Sequence, residues 1–257
     1  MAKLDKSPLL LRQIALPLVC GITLLAGTAW VAGQPPLTAP GGPDIPVPQG
    51  FVLIDESLWM RLSGDSGEHM RLSREHYLRK EFHAAADEMR KASAYVQAEA
   101  GQAAGATKRA LQRSGLELDE LAHRMEHGTV HSIHEIEHAF ARAHHALADH
   151  YHQRAEQAYE RHEPTRAGRF LQASADNLER GAHWAGAEIR EGAHVIVRDT
   201  RVLGGKLVEG TGFVAEEVGR GIKGLGRGVE RLGHAIDPIP PKPIPAREPV
   251  VVPEQRN

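Results

Sequence analysis

Apolar and polar positions follow a helical rhythm over most of this chain. Leu78, Phe82, Ala85, Met89, Ala92 and Val96 recur at three- and four-residue steps, which puts them on one face of a helix predicted from Ser73 to Ala100. Breaks are expected at Gly101 to Gly105. Ser114-Gly-Leu-Glu117 has capping-box spacing, and a second face then runs through Leu118, Leu121, Met125, Ile136, Phe140, Leu147 and Tyr151. It should break or kink at Gly128 and stop at Glu163–Pro164. The third pattern is the most regular. From Leu178 to Ile236, sixteen steps cover 58 residues, roughly 3.6 residues per step, a period closer to a straight helix or an eleven-residue repeat than to a heptad. Ten glycines lie between Gly204 and Gly233, and each costs about 1 kcal/mol relative to alanine inside a helix, so a hinge is expected at Gly204–Gly205. Only Phe51 to Ile54 reads as a short strand or docking segment. The predicted class is all-α: an elongated bundle of long, amphipathic, alanine-rich helices.

Proline placement frames this body. Six prolines fall between Pro35 and Pro48 and seven between Pro238 and Pro253, whereas Pro164 stands alone from Gly50 to Ile236. Proline breaks helix interiors, so residues 34–49 read as a stiff linker, 50–236 as the helical body and 237–257 as an extended tail. Before them, residues 1–13 form a basic region with Lys3, Lys6 and Arg12. Ile14 to Ala32 is then free of charge, so residues 14–33 are predicted to be a signal sequence or a transmembrane anchor. Positive residues ahead of an apolar run keep the amino terminus in the cytoplasm. The body is therefore expected on the extracytoplasmic, periplasmic side of a cell envelope, anchored to the inner membrane or exported.

Composition narrows the chemistry. Cys20 is the sole cysteine, which excludes an internal disulfide or a multi-thiolate zinc finger. A formal charge of −2 excludes nucleic acid as an expected partner. Twelve aromatic residues leave a core built mostly of alanine and aliphatic side chains.

Histidine is the unusual feature. Ten of sixteen lie between His123 and His162. On one continuous helix, His123, His127, His131, His134, His138, His145 and His152 would share an arc opposite the apolar face, a solvent-facing stripe. His127 with His131, and His134 with His138, have the i,i+4 spacing that lets two imidazoles hold one transition metal, and zinc, nickel, copper or cobalt would suit them. The same groups titrate near neutral pH, so the stripe is also a candidate pH sensor. His69, His76 and His83 repeat every seven residues as a smaller version on the first helix.

His134-Glu135-Ile136-Glu137-His138 resembles the H-E-x-x-H motif of zinc metallopeptidases, and His144 occupies the third-ligand position of the metzincin pattern. That resemblance implies His134, His138 and His144 as zinc ligands and Glu135 as general base. Ala141 stands where the pattern has glycine, and no methionine follows Met125. The final apolar pattern is similar to the eleven-residue amphipathic repeats of apolipoproteins and desiccation proteins. Arg220, Lys223, Arg227 and Arg231 lie opposite Val218, Ile222, Leu225, Val229 and Leu232, as in a helix that binds a membrane surface or a partner. The leading expectation is a non-enzymatic, exported or membrane-anchored helical protein whose histidines bind transition metal or respond to pH. A scaffold or stress-protective protein, self-associating or partner-binding through its helices, is the structural alternative.

Overall fold

The computed structural model describes residues 65–236, and these are all-helical. The first basic region, the apolar segment, the proline-rich linker, the Phe51 to Ile54 run and the tail lie outside the described residues. Seven helices follow in order: α1 (Asp65–Leu78), α2 (Phe82–Ala100), α3 (Gly105–Glu126), α4 (Ile133–Glu160), α5 (Pro164–Ala185), α6 (Ala187–Glu209) and α7 (Ala215–Ile236). No described helix is long and apolar enough to cross a membrane.

Short turns divide the patterns more often than periodicity predicts. The first long pattern is two helices, because Lys80 takes a left-handed φ of 64° and turns the chain between Leu78 and Phe82. Gly128, with φ of 64°, opens the loop between α3 and α4, and His162 and Pro164 end α4 and begin α5. The third pattern is not one helix. It breaks at Gly186, with φ of 120°, and again at Gly210 and Gly212, both left-handed. No hinge falls at Gly204–Gly205, which lie inside α6. A Cβ on Gly168 of α5 would sit 2.6 Å from the Gly204 carbonyl oxygen, so this pair marks a close backbone approach of α5 to α6.

Consecutive helices pack as antiparallel neighbours, and three of these hairpins share one device. Buried serine hydroxyls on one helix donate to a backbone carbonyl of its neighbour: Ser73 to Ala85, Ser93 to Gly115 and Ser174 to Ala148, at 2.7–2.9 Å. Small residues at these points permit the approach. Ion pairs then tie the outer edges, among them Arg90 to Glu126 and Arg74 to Glu137. Hydrogen bonding to Arg90 holds the Glu126 carboxyl below its ordinary range.

Helix α4 is the centre of the bundle, with α3 and α5 on its flanks and parts of α1, α2 and α7 against it. Helix α7 returns across α4, α5 and α6, and Val218, Ile222, Leu225, Val229 and Leu232 are buried there. The apolar face expected to meet a membrane is thus covered by the protein's own helices. Arg220, Lys223, Arg227 and Arg231 point outward.

Candidate functional site

The corner between α3 and α4 carries the exposed histidines. His123 sits in the last turn of α3, His127 is its C-cap, and His131 lies in the connecting loop. Ser132 caps α4, its hydroxyl accepting from the His134 backbone N–H at 3.2 Å, and His134 and His138 follow on one face of the first turns. All five imidazoles are exposed.

Pairing within this corner differs from the predicted one. His127 and His131 do not share a helical turn, because Gly128 ends the helix between them. Instead the His123 and His127 rings lie 4.3 Å apart, centroid to centroid. His127 Nδ1 is 2.8 Å from the His123 carbonyl oxygen. A carbonyl only accepts, so this nitrogen carries the proton and Nε2 presents a lone pair to solvent. His134 Nδ1 lies 3.1 Å from a Glu137 carboxylate oxygen, while Arg74 donates to the other at 2.8 Å. The same reasoning leaves His134 Nε2 as a lone pair. His134 and His138 line a cleft of about 460 Å³ with Glu137, His183 and Trp184. The corner therefore offers two pairs of imidazoles, each with room for water ligands. A closed four-ligand zinc site of the structural kind is not built here. Among the described residues, no group of three His, Cys, Asp or Glu side chains is placed to hold a metal ion.

The metallopeptidase string does not assemble. Helix α4 runs unbroken through Ala141, so His144 lies about 15 Å along the axis from His134. His144 is fully buried toward α5, where its Nδ1 is 3.0 Å from Asn177 Oδ1. Asn177 uses its amide nitrogen to donate to the Ala173 carbonyl, which fixes Oδ1 as the acceptor. Burial pushes the His144 pKa down to about 4, against the opposing effect of the Asn177 hydrogen bond. Glu135 is held by Arg124 at 2.7 Å. The implied set of His134, His138, His144 and Glu135 thus points in different directions.

The solvent-facing stripe also ends earlier than expected. His145 and His152 are half-buried beneath α7, where their rings occupy slots that glycines leave open. His145 faces Gly233, and His152 faces Gly226 while donating from Nε2 to the Ile222 carbonyl at 3.0 Å. His150 is buried against the Glu99 carboxylate at 3.0 Å, a pair with no signal in the periodicity. On the first two helices, His69 meets Glu88 and stacks on Tyr95, and His76 meets Glu81. None of them reaches His134 or His138, toward which α1 instead projects Arg71 and Arg74. No protein family, curated protein or solved structure matches the chain.

Proposed function

We propose that this is an exported or membrane-tethered, non-enzymatic helical protein that binds first-row transition metal reversibly through paired surface imidazoles. The contact between His123 and His127 carries the reading, since two rings one helical turn apart, one with its proton committed to a carbonyl, are ready to share a metal. His134 and His138 form the second pair. Two protein ligands completed by water bind and release metal easily, which suits capture or buffering rather than a permanent structural site. The charge-free run from Ile14 to Ala32 behind Lys3, Lys6 and Arg12 supports placement on the outer side of the membrane.

Metal ligation needs the neutral ring, so protons compete with metal for each imidazole and acid favours release. Metal binding and pH response are then one property of the same imidazoles. Titration of the purified full chain with Ni(II) or Cu(II) at pH 7.5 should show two classes of site. His123→Ala/His127→Ala should remove one and His134→Ala/His138→Ala the other, while His162→Ala, also exposed, removes neither. Unchanged binding in the combined four-histidine variant would overturn the proposal, as would a wild type that binds no metal.

A further inference from the structure

A second cleft, of about 570 Å³, lies between α1, the end of α5 and the start of α6. Its volume is in the range of small-molecule sites. Trp184 forms an aromatic wall, held by an edge contact with Phe140 at 5.3 Å, and Ala193 and Val197 face the cleft from α6. His144 belongs to the lining, although it has no exposed surface. Its Nδ1 proton is given to Asn177, so Nε2 is a bare lone pair, and no hydrogen-bond donor meets it. A buried acceptor left without a donor is costly, and here it belongs to a residue that lines a cavity.

The chemistry of the walls selects the ligand. The lining holds three carboxylates, Glu68, Glu179 and Glu191, and three guanidinium groups, Arg71, Arg180 and Arg190, so it carries no net charge to select an ion. A carboxylate or phosphate would meet the Nε2 lone pair with another lone pair. A cation would meet the Arg180 charge, which acts on His144 directly. A neutral molecule with one O–H avoids both conflicts, and a flat aromatic body can stack on the indole. Arg180 runs across Gly67 of α1, where a Cβ would lie 2.9 Å from its side chain, so the Arg180 stem is the cover that must shift for entry.

We propose that this cleft binds small, uncharged phenolic molecules, the hydroxyl donating to His144 Nε2 and the ring lying against Trp184. Phenol and toluene are close in size and differ in the O–H, so their comparison isolates the hydrogen bond. A site built to pair with a hydroxyl discriminates strongly against the analogue without one. Titration of the full chain, followed by the ¹⁵N resonances of its labelled histidines, should show saturable phenol binding at least tenfold tighter than toluene binding. Phenol should move the His144 Nε2 resonance, and His144→Leu should erase the preference for phenol. Equal affinities for the two probes in the wild-type protein would overturn the assignment whether or not the variant folds. Absence of saturation by phenol, or phenol shifts confined to surface histidines, would overturn it as well.

Discussion

The imidazole of His144 stays neutral in the fold because burial penalises its charged form more than Asn177 stabilises it, and its pKa falls from 6.5 to about 4. The unfolded chain binds the proton at higher pH than the folded one. Stability from this group is therefore complete above pH 6.5 and declines as pH falls from there toward 4. The full effect is roughly 3 kcal/mol, at 1.36 kcal/mol per pKa unit. His144→Gln should be less stable than wild type at pH 7.5, and the gap should narrow at pH 5 when both are unfolded in urea. A gap that stays constant with pH would show that the ring is not buried as a neutral group. The sequence set this residue apart from its neighbour His145, four residues after Phe140 and three before Leu147, but the metallopeptidase pattern read it as a zinc ligand, not as a buried neutral ring. A 3.6-residue period identifies the most apolar side of α4, and that side is indeed buried at Ile136, Phe140 and Leu147. It says nothing about which helices cover the other sides, and α4 is surrounded. His144 and His150 became core residues through neighbours distant in the chain, which brought Asn177 and Glu99 to meet them.

At the scale of elements, the helical class and most helix interiors were legible because burial in a bundle imposes its period on the chain. The connections were less so. Lys80 and His162 adopt left-handed backbone without the glycine that usually announces it. Conversely, Gly204 and Gly205 looked like a hinge and are helical, since glycine serves close packing as well as flexibility. These two uses make opposite predictions. A Cβ on Gly219 of α7 would meet nothing within 4 Å, so Gly219→Ala should stabilise the protein by about 1 kcal/mol through helix propensity alone. A Cβ on Gly204 would lie 2.9 Å from the Gly168 carbonyl oxygen and closer to Gln172. Gly204→Ala should therefore cost about 1–3 kcal/mol, as overpacking does. Thermal unfolding of the two variants checks the signs. If Gly204→Ala stabilised as much as Gly219→Ala, the close approach of α5 and α6 would be wrong.

Across the bundle, the least self-sufficient of the described helices is α7. Its glycines weaken it as an isolated helix, and left-handed Gly210 and Gly212 separate it from α6, so its order depends on docking. The docked state answers both problems: five aliphatic side chains leave water, and the bare glycine backbone admits the rings of His145 and His152. Helices α4 and α5, by contrast, bury residues along their whole length against several neighbours. Opening of α7 should thus require less free energy than unfolding of the bundle, because local units open according to their own contacts. Hydrogen exchange on the full chain should show α7 amides less protected than those of α4 and α5. Leu225→Ala removes a fully buried side chain, a loss of about 2–5 kcal/mol in a well-packed core. It should strip protection from α7 while α2 and α3, which do not pack on it, keep theirs. An equal loss in every helix would mean that α7 opens only with the whole fold, and its aliphatic face would then have no independent route to a membrane or partner.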